Sequence, residues 1–390
     1  MPDFDAFWSA TLSSLEDANR RRSLRDVVRL PGGRIKIGDG PVLLDFCSND
    51  YLGLSFRPEL IRKICESVAE HGAGAGASRL VAGNLAAFAA IEAKLAAGKG
   101  TEAALVFVSG VQANLTMLPA LLDAKALGAE PLVYADRLNH ASLIAGCVSA
   151  GVRQNRFRHN DLAHLEELLE RDKGLGRPRF IVTESVFSMD GDCADISQLS
   201  TLAEKYGAFL YIDEAHATGV LGANGFGLAH GLKNALVMGT FSKGLGGFGA
   251  YAACSATLRE YLVNRCGGVI YATALPPAVL GAMAAALELM PGLDAERAHV
   301  QALAADLRKR LEVAGFDTGA STTQIVPLIL GEEKKVLALA AALEAEGFLA
   351  AAIRPPTVPA GTSRMRFTVS AAHRAEDVAA LAAAVVRLAR

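Results

Sequence analysis

The chain has 390 residues, of which 51% are hydrophobic and 21% are charged. This length predicts two or three domains with a large buried core, and a net charge of -2 argues against nucleic acid or an anionic membrane as a partner. Six cysteines without a CxxC pair argue against a disulfide framework and a zinc site, and they favour a reducing compartment.

The first predicted region is an N-terminal helix and arm over residues 1–45. A charged, amphipathic stretch predicts a helix over about residues 5 to 27, and the later segment VLLDFCSNDYLGLS predicts a strand leading into a turn. The start MPDFDAFWSATL is acidic and has no long apolar segment behind it, so it is not typical of a secretory signal. No run reaches the roughly 18 apolar residues of a membrane span. We therefore expect a soluble cytoplasmic protein.

A large domain is predicted over residues 46–285. Between residues 103 and 254, short β-rich runs alternate with segments of helical period. The runs are AALVFVSG, PLVYAD, RFIVTES, FLYIDEAH, ALVMGTFS and GAYAAC. They are continuously apolar rather than alternating, which strands buried on both faces of a parallel sheet require. The pattern predicts an α/β domain with a large, mainly parallel sheet covered by helices on both faces.

A smaller α/β domain is predicted over residues 286–390. An Ala-rich helix that follows Pro276 and Pro277 extends to about Met290 and leads into it. A helix over 294–314, a strand at QIVPLIL, a helix over 332–346, a strand at RMRFTVS and a final helix from about Arg374 then follow.

Polar residues follow the apolar runs at the points where the predicted strands end. They are Ser109 and Gly110, His140, Ser188, Asp213 with His216, and Thr240 with Lys243. Ligands of open parallel sheets gather outside the carboxyl ends of the strands, so these residues are candidates for one site. Each has a simpler alternative when taken alone: a tight turn at Gly110, a helix cap at Asp213, a structural role for His216 or a solvated surface charge at Lys243.

The combination of residue types favours a pyridoxal 5'-phosphate (PLP) pocket. Lys243 can form a Schiff base, Asp213 can keep a pyridine nitrogen protonated, and a histidine can stack on a flat ring. A helix that begins at Gly110 presents N–H groups and a positive dipole end to a phosphate. The glycines after Lys243 have two open interpretations, clearance for a ligand or a simple turn requirement. No histidine spacing suggests a metal.

The chain resembles the α-oxoamine synthases over nearly its whole length, and four segments carry the resemblance. They are LNHASLI (138 to 144), ESVFSMDGD (184 to 192), IDEAHATGVLG (212 to 222) and TFSKGLGG (240 to 247). The resemblance implies the PLP-dependent transferase fold of type I, with a seven-stranded sheet in the large domain. It also implies a decarboxylative condensation of an amino acid with an acyl-CoA. A homodimer is implied as well, in which Thr273 reaches the phosphate of the neighbouring subunit.

The resemblance assigns a role to individual residues. Lys243, His140 and Asp213 are implied to be catalytic, through the Schiff base, ring stacking and the pyridine nitrogen. The implied cofactor-binding residues are Gly110, Val111, His140, Ser188, Asp213, His216, Thr240 and Lys243, and the implied substrate-binding residues are Arg25, His140, Arg354 and Thr357. Arg354 matches a position that grips the amino-acid carboxylate. Relatives often have an aromatic residue at Val111, so only a backbone contact carries over there, and several arginines compete with Arg25.

The C-terminal segment AIRPPTVPAGTSRMRFTVSAAH, with CSNDYLGLS and GAGASRLVAGN, is most similar to the family members that join L-alanine to pimeloyl-CoA or a pimeloyl-carrier protein. Two alternatives stay open. One is a family member that joins glycine or serine to another acyl-CoA, such as glycine with acetyl-CoA. The other is a catalytically silent relative, which the presence of Lys243 argues against.

Overall fold

The computed structural model describes residues 3–389, which fold into two compact units. One unit comprises 49–188 and 192–298, and the other comprises, within the described residues, 3–48, 189–191 and 299–389. The predicted arm over 1–45 therefore belongs to the same compact unit as most of the predicted C-terminal domain. Residues 1, 2 and 390 of those two predicted regions lie outside the described part of the chain. The functional division at residues 45 and 285 stays a prediction.

The first unit is built on a sheet that has seven strands within residues 3–389. In chain order they are β1 (Ala103–Phe107), β2 (Leu132–Asp136), β3 (Gln154–Phe157), β4 (Arg179–Glu184), β5 (Ala208–Asp213), β6 (Ala235–Thr240) and β7 (Ala250–Cys254). Their spatial order is β1-β7-β6-β5-β4-β2-β3, and β7 pairs antiparallel with both of its neighbours while the other pairs are parallel. The predicted α/β architecture with a mainly parallel sheet is confirmed.

Burial on both faces explains why these strands are apolar throughout. Along β4, Phe180 and Val182 pack into a cluster on one face, and Ile181 packs into a cluster on the other. All six predicted apolar runs form strands. The sequence missed β3, because QNRF is a short polar strand at the edge of the sheet and has no apolar run to reveal it.

Helices cover the two faces of this sheet. The helices of this unit are Pro58–His71, Ala86–Lys99, Gly110–Leu121, Ala124–Leu127, Ala141–Ser149, Leu162–Arg171, Ile196–Tyr206, Ala256–Arg265, Gly267–Ile270 and Pro277–Leu289, with shorter turns at Leu54–Phe56, Arg79–Gly83, Lys173–Leu175, Ala223–Gly225 and Met290–Gly292. The helix Asp294–Val313 runs through the chain boundary at residue 298.

The other unit contains two small sheets. Strands Val27–Leu30, Arg34–Ile37, Val42–Asp45 and Phe348–Leu349 form one sheet, and strands Ile325–Gly331, Ser363–Thr368 and Ala351–Ile353 form the second. Its helices are Phe4–Asp17, Glu333–Ala345 and Ala375–Leu388. The helices and strands predicted after residue 290 are confirmed, and their observed ends lie within about two residues of the predicted ones.

The predicted opening helix over residues 5 to 27 is wrong in its length. The observed helix ends at Asp17, because Asn19 adopts a left-handed conformation with φ of 56° and the following residues leave the helix. Residues 27–30 instead form a strand that pairs antiparallel with Arg34–Ile37. The continuous charge pattern concealed this stop, since asparagine is not by itself a strong helix breaker.

Among residues 3–389, no single helix is long and apolar enough to cross a membrane, although the segments Pro277–Gly292 and Asp294–Val313 reach that length and composition as a bent pair. The expected cytoplasmic location stays a prediction.

Candidate active site

A cavity of about 200 Å³ lies at the carboxyl ends of the parallel strands in the first unit. Five strand-end or helix-start residues in its wall are Gly110, His140, Asp213, Thr240 and Lys243. The polar residues that the sequence placed after separate strands therefore line one cavity. Parallel strands with right-handed crossovers produce this convergence, because every carboxyl end points to the same edge of the sheet.

A larger cavity of about 850 Å³ lies at the opposite edge of the same sheet. Its wall includes Phe180, Phe209 and Ala235, which stand at the amino ends of β4, β5 and β6. The titratable groups that the sequence singled out lie elsewhere, so the smaller cavity is the candidate active site.

Lys243 is half-buried and directed at a histidine. Its Nζ lies 2.8 Å from Nε2 of His216, and Nδ1 of His216 lies 2.6 Å from the hydroxyl of Tyr51. The Tyr51 hydroxyl donates in turn to Oδ1 of Asn49 at 3.1 Å. The alternative of a solvated surface lysine is therefore wrong. Tyr51 was not identified from the sequence, although it lies in the quoted segment CSNDYLGLS.

Asp213 is the last residue of β5 and is only 5% exposed. Its Oδ1 accepts the backbone N–H of Ala215 at 2.9 Å, and its Oδ2 accepts the side-chain amide of Asn114 at 2.9 Å. A buried carboxylate needs such donors, because its removal from water is otherwise very costly. Asn114 was missed, although it is a polar residue in a mostly apolar helix.

His140 stands at the rim of the cavity as the N-cap of the helix Ala141–Ser149. Its Nδ1 accepts the backbone N–H of Ser142 at 3.2 Å and lies 2.7 Å from the Ser142 hydroxyl. Removal from water lowers the pKa of His140, with Asp213 opposing that effect and the positive charge of Lys243 adding to it. The neutral imidazole is therefore favoured.

Glu184 is a site residue that the sequence reading missed. It is the last residue of β4, lies beside Asp213 in the parallel register and lines the cavity. One of its oxygens accepts the backbone N–H of His140 in a short hydrogen bond. Burial and the negative charge of Asp213 raise the pKa of Glu184 well above its usual range. The sequence did contain a signal for Glu184, because this carboxylate ends an apolar run just as Asp213 does.

The helix that begins at Gly110 faces Thr240 across the cavity. A Cβ at Gly110 would come within 2.9 Å of Cγ2 of Thr240, so this turn needs a glycine. Oγ1 of Thr240 is buried and has no hydrogen-bond partner within residues 3–389, an unusual situation for a buried hydroxyl. Val111 lines the cavity and is 51% exposed.

The glycines after Lys243 are explained by close packing within the protein. A Cβ at Gly246 would come within 2.5 Å of the backbone nitrogen of Ser55, and Gly246 has φ of +64°. A Cβ at Gly244 would come within 2.7 Å of the carbonyl oxygen of Thr218. These contacts favour the turn interpretation over clearance for a ligand.

Ser188 does not line the cavity wall as the structure describes it. It is half-buried in the loop that follows β4, one residue before the chain enters the other unit. Its role in cofactor binding stays a prediction.

Arg25, Arg354 and Thr357 lie in the other unit. Two guanidinium nitrogens of Arg25 bind the two carboxylate oxygens of Glu344, at 2.8 and 2.5 Å. Arg354 donates from one nitrogen to the carbonyl oxygen of Asn19, whereas its buried Nε has no partner within residues 3–389. The exposed Thr357 donates its backbone N–H to the carbonyl of Arg354 at 3.1 Å. Their substrate contacts stay predictions.

A fully buried ion pair supports the turn that carries Asp213 and His216. Glu214 and Lys99 form a short contact, and both side chains are 0% exposed. The other carboxylate oxygen of Glu214 accepts the backbone N–H groups of Leu228 and Ala229, at 2.7 and 2.9 Å. Burial alone would lower the pKa of Lys99, but the charge of Glu214 outweighs it and the pKa is raised. The two side chains therefore form a buried ion pair.

A second cluster joins the end of β2 to the loops that follow β3 and β4. The ring of His159 lies between two carboxylates, with Nδ1 3.0 Å from Asp136 and Nε2 2.9 Å from Asp192. Asp136 ends β2, four residues before His140. Asp192 lies beyond Ser188 on the loop that follows β4. Burial opposes protonation, but the hydrogen bonds to both carboxylates prevail and raise the pKa of His159 to about 10.

Comparison with known proteins places the chain in a family. The model of the aminotransferase class I and II family matches residues 41–385. A relative from Paramagnetospirillum magneticum, provisionally named as an 8-amino-7-oxononanoate synthase, is 59% identical and the match covers 96% of this chain and 95% of the relative. The 8-amino-7-oxononanoate synthase of Gluconacetobacter diazotrophicus is 55% identical, with 96% and 94% covered. A solved structure of SPT with PLP has a TM-score of 0.89 and 26% identity, and the match covers 99% of this chain and 98% of that one.

The His159 cluster predicts a pH-dependent stability. Because the folded-state pKa of about 10 lies above the usual value of roughly 6.5, the stabilisation is complete below about pH 6.5 and is lost as the pH rises towards 10. His159→Gln should lower the free energy of unfolding by about 1.5 to 3 kcal/mol at pH 6, with a smaller difference near pH 10. Urea denaturation at both pH values measures this.

The control for that experiment is His164→Gln, since Nδ1 of His164 accepts the N–H of Arg158 at 2.9 Å and does not bridge two carboxylates. A difference between wild type and His159→Gln that stayed constant from pH 6 to 10 would contradict the protonated bridge.

Proposed function

This chain belongs to the aminotransferase class I and II family, and on that basis we propose that it is a PLP-dependent 8-amino-7-oxononanoate synthase. The reaction joins L-alanine to the acyl group of pimeloyl-CoA or a pimeloyl-carrier protein, with release of the thiol and carbon dioxide, and its product belongs to biotin biosynthesis. The observation that carries the proposal is the convergence of Lys243, its neighbour His216 and Asp213 on one cavity. The relatives that are 55 to 59% identical support the specific activity.

The residues of the cavity fit PLP in their chemistry. The buried hydroxyl of Thr240 has no hydrogen-bond partner among residues 3–389, and a cofactor oxygen can supply one. The helix that begins at Gly110 offers backbone N–H groups and the positive end of its dipole to a phosphate, and Val111 adds its backbone in the same turn. Asp213 is a buried acceptor for a protonated ring nitrogen. A catalytically silent relative would have no need for Lys243 beside these groups.

When bound, PLP supplies an electron sink that stabilises negative charge at the amino-acid Cα. Lys243 holds the cofactor and then takes the proton from that Cα and returns one after decarboxylation. Asp213 keeps a proton at the ring nitrogen, and His140 packs on the ring. His216 would bond the phenolic oxygen of the ring, and Thr240 and Ser188 would lend their hydroxyls to the cofactor.

Carboxylate recognition is assigned to Arg354. A guanidinium offers a planar pair of donors that matches a carboxylate, and the buried Nε of Arg354 is still without a partner among the described residues. Thr357 is held beside it through the backbone. Arg25 is a weaker candidate than Arg354, because both oxygens of Glu344 already occupy its guanidinium.

Replacement of Lys243 tests the cofactor assignment. Lys243→Ala should abolish the borohydride-dependent attachment of PLP to this position and lower kcat by at least about 100-fold, as expected for loss of a catalytic base. Mass spectrometry of peptides after borohydride treatment and a thiol-release assay measure the two effects.

The matched control is Lys233→Ala, an exposed loop lysine seven residues before β6 ends, which should leave both readouts unchanged. A Lys243→Ala protein that still formed product at the wild-type rate would refute the mechanism.

Competition between substrate pairs tests the specific activity. L-alanine with pimeloyl-CoA should give kcat/KM at least about tenfold higher than glycine with acetyl-CoA, since a pocket that fits one additional methyl group discriminates by roughly 10 to 200-fold. Release of free CoA and of carbon dioxide is followed for both pairs and for the two crossed pairs. Faster turnover of glycine with acetyl-CoA would instead assign the alternative synthase.

A homodimer is the remaining part of the proposal. Val81 and Tyr271 are 81% and 85% exposed, and they flank the bridge between Ser78 and Thr273. Large apolar side chains exposed next to each other are typical of interfaces. We assign this surface to a second copy of the chain, where Thr273 reaches the phosphate of the partner's cofactor.

Sedimentation velocity tests the homodimer. Wild type should sediment as a dimer, and Val81→Asp combined with Tyr271→Asp should shift it to monomer at micromolar concentration. Val313→Asp, at a position that is 82% exposed on the helix Asp294–Val313, is the control and should remain dimeric. A wild-type protein that was monomeric at high micromolar concentration would overturn the assignment.

A further inference from the structure

The buried side-chain amide of Asn114 connects Asp213 with Ser142, which in turn contacts His140. The side chain of Asn114 is 1% exposed and contacts three polar residues, two on β5 and one on the helix Ala141–Ser149. Its Oδ1 accepts the hydroxyl of Tyr211 at 2.6 Å, and its Nδ2 donates to Oδ2 of Asp213 and to Oγ of Ser142, both at 2.9 Å. All hydrogen-bonding groups of this amide are directed at protein partners within the first unit.

The donors and acceptors of this network have one consistent arrangement. Tyr211 keeps its proton, because burial and the charge of Asp213 raise its pKa well above the usual value. It must therefore donate to Asn114, and this fixes the oxygen of the amide on the Tyr211 side. The two hydrogens of Nδ2 then serve Oδ2 of Asp213 and Oγ of Ser142.

The network also determines the hydrogen position on His140. Because Oγ of Ser142 accepts from Asn114, its own hydrogen is available to Nδ1 of His140 at 2.7 Å. The backbone N–H of Ser142 donates to the same Nδ1 at 3.2 Å. An atom that accepts two donors carries no hydrogen, so the neutral ring has its hydrogen on Nε2.

On the basis of the function proposed above, we propose that Asn114 and Ser142 are positioning residues that hold His140 as the neutral Nε2–H tautomer and orient Asp213 through the same amide. The assignment gives the cavity an uncharged ring beside Lys243. Because Asn114 contacts both Ser142 and Asp213, the orientation of His140, the ring-stacking group, also depends on that of Asp213, the partner of the ring nitrogen. A protonated His140 would lose the hydrogen bond that its Nδ1 accepts from the backbone N–H of Ser142.

The charged and titratable groups around His140 are few. Asp213 and Lys243 act on its charge from β5 and from the loop after β6. Glu184, on β4, accepts the backbone N–H of His140 rather than contacting its ring. Ser142 is the group that contacts Nδ1 directly, so it is the position at which the tautomer can be changed.

The experiment measures the histidine tautomers of the full-chain holoenzyme. Selective ¹⁵N labelling of histidine and long-range ¹H–¹⁵N spectra distinguish a nitrogen that carries hydrogen from one that does not, and the His140→Gln spectrum assigns the His140 signals. We expect an unprotonated Nδ1 and a protonated Nε2 in wild type from pH 6 to 8. Ser142→Ala should shift the tautomer ratio towards Nδ1–H by about fivefold, the effect of one lost hydrogen bond.

Two matched controls separate this effect from general destabilisation. Ser149→Ala changes an exposed serine on the same helix and should leave the His140 signals unchanged. Tyr211→Phe should weaken PLP binding by about fivefold through misorientation of Asn114. Tyr134→Phe, which removes an equally buried hydroxyl that binds Asp172 at 3.0 Å, should not.

The outcomes distinguish this inference from the proposed function. A wild-type spectrum with hydrogen on Nδ1 of His140, or a Ser142→Ala spectrum identical to wild type, overturns the inference even if PLP is bound and alanine is turned over. Failure of borohydride to attach PLP to Lys243 overturns the proposed function, while the tautomer of His140 is read in the same protein. If Ser142→Ala does not fold, the wild-type spectrum alone decides.

Discussion

The burial of the Asp213 carboxylate is the constraint on which the rest of the site depends. A carboxylate that is 5% exposed at the end of an apolar strand is tolerated only where donors replace the lost water. Asn114 and the backbone of Ala215 supply those donors in the protein alone. A protonated ring nitrogen of the proposed cofactor would be a positive partner for the same carboxylate.

Two neighbouring carboxylates end adjacent strands. Glu184 lies beside Asp213 in the parallel register, and burial together with the close negative charge of Asp213 raises the pKa of Glu184. Glu214 points away from the cavity and is neutralised by Lys99. The turn DEAH thus contains two adjacent acids, of which one faces the ligand cavity and one anchors the turn.

The two histidines near these strand ends have separate supports. His140 is held neutral through Ser142, whereas His159, on the next loop, is held protonated by Asp136 and Asp192. Two histidines near the same strand ends therefore differ in charge because one accepts hydrogen bonds at its ring nitrogen and the other donates them. The protonated histidine connects the loops, and the neutral one is available to a flat ring.

The sequence by itself determined the mainly parallel sheet and most residues of the cavity. Apolar runs buried on both faces, and polar residues at their ends, are local patterns, and parallel topology then brings those ends to one edge. It did not reveal the polar edge strand β3 or the end of the first helix at Asp17. Only the tertiary structure decided the partners of each site residue, because Asn114 and Asp213 are 99 residues apart. Whether their side chains meet depends on the rotation of a helix against a strand, which no local periodicity specifies.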